Sequence, residues 1–280
     1  MTVVDKSEKF NWFVRVGYFS RAILYSVLGI IALTSASKIA EGTNGIFQAI
    51  EDFPLGTAIL WIMVIGLVAY ALFRFSSLFF DIENNGSDGK GWAKRIGHAG
   101  SGVGHLALAY SAFQFANSSG SGSSGGSGGS GGGSGGGGAQ EAASGVLSMD
   151  FGGTVLGLLG VIFFGVAIYQ VKKGITGDFM HRISGQAPDA TRWLGGAGFI
   201  ARGVVYAVIG WSLFKAGFMS AGAQQVKTLG DAVASLAGEG FIFTLTAIGL
   251  LLFGIFSLVL ARYRIIPELD SNAGVPSFRA

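Results

Sequence analysis

The chain has 280 residues, half of them hydrophobic, and only 12% are charged, whereas soluble domains carry roughly a quarter of charged residues. Its net charge of +3 is small, and no basic run indicates nucleic-acid binding. It contains no cysteine, which excludes disulfides and thiolate metal sites. The hydrophobic residues come in long blocks without polar faces, as in a membrane protein.

Six blocks of about 20 mainly apolar residues follow one another, each long enough for a helix that crosses a bilayer. A helix satisfies the backbone hydrogen bonds of such a block within lipid. We therefore predict an all-α integral membrane protein, a single membrane domain over 1–280 with six transmembrane helices. The first block ends in a small-residue pattern resembling a signal cleavage site, but it matches a later block, so we expect it to be retained. The blocks are residues 14–37, 56–80, 96–117, 152–171, 196–218 and 240–261.

Lysine and arginine residues outside these blocks divide unequally between the two sides of the predicted membrane. Thirteen lie in segments on the side of the two chain termini, and three lie on the opposite side. Cytoplasmic loops carry an excess of Lys and Arg. We therefore expect a protein of the bacterial plasma (inner) membrane with both termini in the cytoplasm and a cytoplasmic tail over 263–280.

A two-helix segment occurs three times, and such a repeat determines the architecture. Its first helix carries Gly, Arg, Tyr and Gly at four-residue intervals in the first and third copies. Its second helix carries a Gly followed four residues later by Tyr or Phe. The copies, 12–80, 92–172 and 193–262, all begin on the same side, which predicts three parallel helical hairpins around a pseudo-threefold axis. The aligned positions are Gly17, Arg21, Tyr25 and Gly29 with Gly198, Arg202, Tyr206 and Gly210, and Gly66 and Tyr70 with Gly160 and Phe164 and with Gly249 and Phe253.

Many glycines occupy positions where helices of the repeats would meet. Small residues let helix backbones approach closely in lipid. In the middle copy, Ser101 and His105 stand where the others have Arg and Tyr, and we predict a polar contact between helices there. We predict helix packing at Gly17, Gly29, Gly66, Gly100, Gly104, Gly153, Gly157, Gly198, Gly210 and Gly249.

The outer loops contain two further kinds of segment. Short apolar stretches at 46–50, 146–149 and 229–233 predict short helices at the membrane surface, and a gate over a cavity is the alternative. Residues 118–138 consist only of Ser and Gly, so we predict that they form a disordered coil.

Three arginines, Arg21, Arg74 and Arg202, lie inside the apolar blocks. A charge at the centre of a helix in a bilayer costs about 2.5–3.5 kcal/mol on insertion scales, so each needs a compensating interaction. One interpretation is that the side chains snorkel to the headgroups. Another is that they converge on an anionic group, either a lipid headgroup or an acidic substrate. The third is a set of ion pairs with carboxylates near the same membrane face, namely Asp81, Glu83 or Asp178.

Tyr25 and Tyr206 follow two of these arginines by four residues, which puts each pair on one helix face. A tyrosine there can hydrogen-bond a neighbouring helix or contact a ligand. Together the three arginines and two tyrosines form the candidate site for an anionic group or a lipid.

The remaining polar residues do not predict catalysis or a cofactor. All acidic residues lie in loops or at helix ends, and no activated serine, aspartate pair or metal set lies within the blocks. His98 and His105 share one helix face, whereas a haem or metal between helices requires ligands on facing helices, and His181 lies in a loop. We expect no catalytic residue, no cofactor and no metal.

The repeated motif resembles that of a bacterial membrane family known as the "domain of unknown function 1206" family. The resemblance rests on Gly-x-x-Ala/Ser-Arg-Gly/Ala-x-x-Tyr at 17–25 and 198–206, and on Gly-x-x-x-Tyr/Phe-Gly/Ala in the second helices. It covers nearly the whole chain and implies a fold and a membrane location, but no activity. The middle repeat departs from the motif at Ser101 and His105.

These features favour a non-enzymatic multi-pass protein that works by binding. We expect an accessory or scaffold subunit of a membrane complex, or a lipid-interacting protein. Its partners would be membrane lipids, in particular anionic ones, and a membrane-protein partner or a second copy of the chain. The alternative is a channel or transporter for a small anionic or neutral solute, although the blocks lack the carboxylate that coupled transporters carry within the membrane.

Overall fold

The computed structural model describes residues 6–34, 42–81, 83, 85–120 and 137–265, and its regular elements in these ranges are helices apart from one isolated bridge. The six long helices are α1 (Lys6–Thr34), α3 (Gly56–Phe79), α4 (Gly89–Gly120), α6 (Gly152–Thr176), α7 (Thr191–Phe218) and α9 (Phe241–Tyr263). The short helices are α2 (Gly42–Glu51), α5 (Gly137–Leu147) and α8 (Leu229–Ala234), and single 3-10 turns lie at Met180–Arg182, Ala223–Gln225 and Ala237–Glu239.

Five of the long helices are long and apolar enough to cross a membrane: Val14–Thr34 within α1, and the whole of α3, α6, α7 and α9. The prediction of a multi-pass helical membrane protein is confirmed at this level. Helix α4 covers the predicted block 96–117 but is not among the five. Its first turns carry charged residues, and Gly, Ser and His interrupt its apolar sequence. A sixth crossing therefore stays a prediction.

The outer segments are helical where the sequence predicted short helices, because α2, α5 and α8 cover or overlap the three apolar stretches. Of the Ser/Gly segment, 121–136 lie outside the described residues. Its ends differ from the predicted coil, since 118–120 continue α4 and 137–138 begin α5. Extending an existing helix by a few residues avoids the cost of nucleating a new one.

The long helices are arranged as an arc in which each packs against the next. Its order is α4, α3, α1, α9, α7 and α6. A closed pseudo-threefold ring would also pair α4 with α6, but no packed interface joins these two among the described residues. The arc is therefore open within the middle repeat.

Most of the predicted packing glycines lie where two long helices approach closely. A Cβ atom built at each would come within 3.0 Å of an atom in a neighbouring long helix, as for Gly66 against Ser20. Gly100 and Gly104 differ, because nothing lies within 4 Å of a Cβ there. The packing predicted at these two is not present within the described chain, since α4 contacts α3 through another face that includes Gly102 against Phe75. The close-packed set is Gly17, Gly29, Gly66, Gly153, Gly157, Gly198, Gly210 and Gly249.

One end of the bundle, where α1 begins and α9 ends, is held together by loop contacts, and we call it the terminal end. Ser184 donates its backbone N–H to the Tyr263 carbonyl at 2.9 Å, and Ile265 donates to the Arg182 carbonyl at 3.0 Å. The predicted tail over 263–280 therefore begins with paired residues, and 266–280 lie outside the described residues. These contacts place the side chains of the α6–α7 loop beside the end of α9.

Candidate functional site

Arg21 lies inside the bundle and links three helices. Its side chain on α1 donates from Nη1 to the Tyr70 hydroxyl of α3 at 2.8 Å and from Nε to the Ser257 hydroxyl of α9 at 3.2 Å. The residue is only 5% exposed. Snorkelling therefore does not describe Arg21, because its guanidinium is held by neighbouring helices and does not extend to the surface.

Arg74 lies one helical turn beyond Tyr70 and also donates to its hydroxyl. The Tyr70 hydroxyl therefore accepts hydrogen bonds from two guanidinium groups on two helices. Arg74 Nη1 lies 2.8 Å from His98 Nδ1 of α4 and 3.8 Å from Glu83 Oε1. Of the three interpretations of the arginines, the ion pair describes Arg74, and its partner is Glu83.

Glu83, in the α3–α4 loop, binds cationic groups from several parts of the chain. Its side chain is 3% exposed, and Arg264 Nη2 donates to its Oε1 at 2.6 Å. Arg182 donates to its Oε2, and His98 Nε2 lies 3.2 Å from the same oxygen. This one carboxylate therefore ties the α3–α4 loop to the α6–α7 loop and to the end of α9.

The charge state of Glu83 follows from these contacts. Burial alone would raise the pKa of its carboxyl, but the Arg264 charge, the His98 hydrogen bond and the Arg74 charge hold this pKa well below its ordinary value. The geometry around His98 fits a neutral imidazole, whose Nε2–H donates to Glu83 and whose Nδ1 accepts from Arg74. Glu83 is therefore an anion throughout the physiological pH range.

Arg202 has fewer polar partners than the other two intramembrane arginines. Its Nη2 donates to the Tyr206 hydroxyl on its own helix. Its guanidinium carbon lies 4.6 Å from the Phe253 ring centroid, 5.1 Å from that of Tyr206 and 5.5 Å from that of Tyr25. Its Nε is buried and has no hydrogen-bond acceptor, and no carboxylate of the described residues lies within 4.0 Å. Aromatic rings, and not an anion, surround this charge.

The three intramembrane arginines form one cluster. Arg21 and Arg74 share the Tyr70 hydroxyl, and Arg21 and Arg202 both lie over the Phe253 ring, at 5.0 and 4.6 Å. We call Arg21, Arg74, Arg202, Tyr70 and Tyr206 the arginine–tyrosine cluster. The sequence predicted its arginines and Tyr206 as site residues.

Tyr25 shares a helix face with Arg21, but its contacts in the structure are with other helices. Tyr25 packs edge-on against Phe253, with ring centroids 4.9 Å apart, and lies beside Arg202. Arg21 bonds instead to Tyr70, a motif position of the second helix that the sequence did not mark as a site residue. The two helices of the first repeat face each other, so the partner comes from the facing helix.

The polar pair of the middle repeat has a different role from the one predicted. His105 Nδ1 lies 2.6 Å from the Ser101 carbonyl on the same helix. The contact of His105 with another helix is through its ring, whose centroid lies 4.5 Å from that of Tyr70. The middle repeat therefore contributes the His105 ring to the cluster at the position where the first and third repeats have a tyrosine, and it has Ser101 where they have an arginine.

The charge balance at the terminal end is strongly positive. Five arginines lie in the cluster and around Glu83, which is the only carboxylate within 4.0 Å of any of them among the described residues. Guanidinium groups present donors in a fork that matches carboxylate and phosphate oxygens. Within the described ranges no group of three His, Asp or Glu side chains could hold a metal ion. The five are Arg21, Arg74, Arg182, Arg202 and Arg264.

These observations define a class: a multi-pass helical membrane protein with a positively charged cluster between its helices. The chain belongs to the family described as Domain of Unknown Function (DUF1206), whose profile matches residues 16–77, 96–177 and 197–264. Each matched segment corresponds to one of the three repeats. The chain is 29% identical over 272 residues to "Uncharacterized protein YxxB" of Bacillus subtilis (strain 168), covering 92% of this chain and 94% of that protein. No solved structure matches the chain.

Proposed function

We propose that this membrane protein binds an anionic group, a phosphate or a carboxylate, at Arg202 in the arginine–tyrosine cluster, and that it does so without chemical transformation. The observation that carries the proposal is the guanidinium of Arg202, which has one hydroxyl acceptor, no carboxylate within 4.0 Å among the described residues and a buried Nε without a partner. Such a group is an incomplete ion pair.

The energetics of charge burial support this proposal. Removing a charge from water is expensive, and the interior compensates it only with an opposite charge and well-formed hydrogen bonds. The aromatic rings around Arg202 supply part of this compensation, since a cation over an aromatic face gains about 0.5–2 kcal/mol. An oxyanion that accepts from Nε and Nη would supply the rest, with the charge-assisted geometry that arginine favours.

An anionic ligand is compatible with two of the functions expected from the sequence, a lipid-interacting protein and a transporter of small anions. Both a phospholipid headgroup and a dissolved anion present the oxygens that Arg202 lacks. The roles of accessory subunit, scaffold and solute transporter stay expectations, because the contacts at Arg202 do not bear on any of them.

The test is ligand-induced stabilisation of the full chain in neutral detergent, with inorganic phosphate and with dihexanoyl-phosphatidylglycerol as two separate ligands. A ligand that binds the folded state at about 100 times its Kd adds about 2.7 kcal/mol to the free energy of unfolding. We expect stabilisation of the wild type by one or both, and its loss in Arg202→Gln. Phosphate alone would indicate a dissolved anion, and the lipid alone would indicate a headgroup.

The matched control is Arg262→Gln, which removes an exposed arginine at the same end of the bundle. It should keep the stabilisation of the wild type. Arg202→Lys, which keeps the charge but loses the planar fork, should bind more weakly than the wild type. No stabilisation of the wild type by either ligand, or equal stabilisation of Arg202→Gln, would contradict the proposal.

A further inference from the structure

The two long helices of the middle repeat do not pack against each other, whereas those of the first and third repeats do. In the first repeat, a Cβ at Gly17 would lie 2.7 Å from the Tyr70 Cβ, and in the third a Cβ at Gly198 would lie 2.6 Å from the Phe253 Cβ. The matching pair of the middle repeat is Gly97 and Phe164. Nothing lies within 4 Å of a Cβ at Gly97.

The open face continues along α4. At Gly100 and Gly104, as at Gly97, no atom lies within 4 Å of the position that a Cβ would take. On the other wall, Gly160 of α6 packs against Phe214 of α7 instead of against α4. Only 28% of the membrane-spanning window of α6 is buried, against 44–61% for the other four candidate spans. The arc of helices is open between α4 and α6, and we call this opening the gap; the small-residue face of α4 is left uncovered within the described chain.

This gap reaches the arginine–tyrosine cluster from both walls. On the α4 side, the His105 ring lies 4.5 Å from Tyr70, which holds Arg21 and Arg74. On the α6 side, the Phe163 ring lies 5.9 Å from Tyr206, which holds Arg202. Tyr70, whose hydroxyl binds Arg21 and Arg74, thus contacts α4, and Tyr206, whose hydroxyl binds Arg202, contacts α6.

Gln170 gives a second indication that a polar ligand belongs here. It lies on α6 seven residues after Phe163, so both share one helix face. The residue is only 7% exposed, and its side chain makes no hydrogen bond with the described residues. Its amide can therefore bind a polar group of a ligand in the gap.

We propose that the gap between α4 and α6 admits an anionic phospholipid sideways from the bilayer, with its phosphate at Arg202 and its glycerol and acyl part beside Gly100 and Gly104. This inference rests on the proposed function and names the ligand of that same site. A lipid fits better than a dissolved anion because the gap lies between two long helices on the side of the bundle, beside the hydrocarbon. The surplus of arginine over carboxylate selects a negatively charged headgroup.

The test fills the gap without touching the arginines. The double variant Gly100→Leu with Gly104→Leu places two large side chains in open space, and leucine is a better helix former than glycine. The control is Gly165→Leu, a position on α6 that is also exposed and has nothing within 4 Å. It lies two residues from Phe163, on roughly the opposite face of the helix.

The full chain and its variants are reconstituted into phosphatidylcholine nanodiscs containing a minor fraction of phosphatidylglycerol, and the retained lipid is counted by native mass spectrometry. We expect the wild type and Gly165→Leu to retain phosphatidylglycerol, and the gap-filled variant to retain about tenfold less, which corresponds to about 1.4 kcal/mol. Equal retention by the gap-filled variant would overturn sideways access while leaving binding at Arg202 intact.

Inorganic phosphate separates this inference from the proposed function. If phosphate stabilises the wild type through Arg202 but no phosphatidylglycerol is retained, the ligand is a dissolved anion and the lipid inference is wrong. If the wild type binds neither, both proposals fail. If the gap-filled variant loses the lipid and keeps its response to phosphate, the gap is the path of the lipid and the arginine site is undamaged.

Discussion

Phe253 occupies the position in the third repeat that Tyr70 occupies in the first, and the two side chains differ by one hydroxyl group. In the first repeat that hydroxyl accepts hydrogen bonds from Arg21 and Arg74. In the third repeat Arg202 lies 4.6 Å from the Phe253 ring centroid and finds no acceptor there. The first repeat therefore gives its arginine a hydroxyl acceptor on the facing helix, and the third repeat, with Phe253 at that position, does not.

The shared Tyr70 hydroxyl is expected to be a main contributor to the stability of the cluster. Tyr70→Phe removes the acceptor of two charged donors, each worth about 1.5–3 kcal/mol, and leaves both arginines buried. We expect the free energy of unfolding to fall by about 3 kcal/mol, measured by reversible denaturation in mixed micelles. Tyr110→Phe removes an exposed hydroxyl of α4 and should change it little. Equal effects of the two substitutions would count against this role.

Glu83 should be the most sensitive carboxylate of the terminal end. Glu83→Gln leaves Arg182 and Arg264 without their anion, and removing one partner of a buried ion pair costs about 3–5 kcal/mol. The same denaturation measurement should detect a loss of this size. Asp189→Asn, which removes an exposed carboxylate, is the matched control. A Glu83→Gln protein as stable as this control would show that the contacts do not hold the loops together.

Protonation of Glu83 should lower the stability of the protein at acidic pH. The folded pKa of this carboxyl lies well below 4.5, its ordinary value, so its contribution is complete above about pH 4.5 and is lost as the pH falls through the folded pKa. We expect the free energy of unfolding in non-ionic detergent to fall as the pH decreases below about 4.5. Glu83→Gln should flatten that part of the profile. The same slope in both proteins would assign the acid sensitivity to other groups.

The glycines of the repeats should respond differently to one added methyl group. In Gly17→Ala the Cβ would lie 2.7 Å from Tyr70 Cβ, and overpacking of this kind costs about 1–3 kcal/mol. Gly100→Ala meets open space and should be neutral or stabilising by up to about 1 kcal/mol, because alanine favours helix. Thermal unfolding of the two variants tests this directly. A destabilised Gly100→Ala would mean that α4 is packed against a neighbour at this position.

Local patterns in the sequence predicted the helices well, because the length and hydropathy of a block depend only on neighbouring residues. They predicted the partners of the polar groups poorly. The motif marks Arg21 as a site residue but does not mark its acceptor, Tyr70, which is 49 residues away. Arg264 was treated as an ordinary cytoplasmic arginine, yet it binds Glu83 from 181 residues away. Such contacts depend on which helices are neighbours, which hydropathy does not encode.

The spacing of small residues illustrates the same limit. Gly66 and Gly100 belong to the same kind of pattern, but a Cβ at Gly66 would collide with Ser20, whereas one at Gly100 meets nothing. A small-residue pattern shows that a close approach is sterically allowed. Whether a helix lies opposite depends on the arrangement of all six, and in the middle repeat the opposite position is open.

The central claim, that Arg202 binds an anionic group, is tested most directly by native mass spectrometry of the full chain gently extracted from its own membrane. We predict that the wild type and Arg262→Gln retain an anionic ligand at a fixed stoichiometry, and that Arg202→Gln does not. Wild-type protein without any anionic ligand, or the same ligand retained by Arg202→Gln, would contradict the claim.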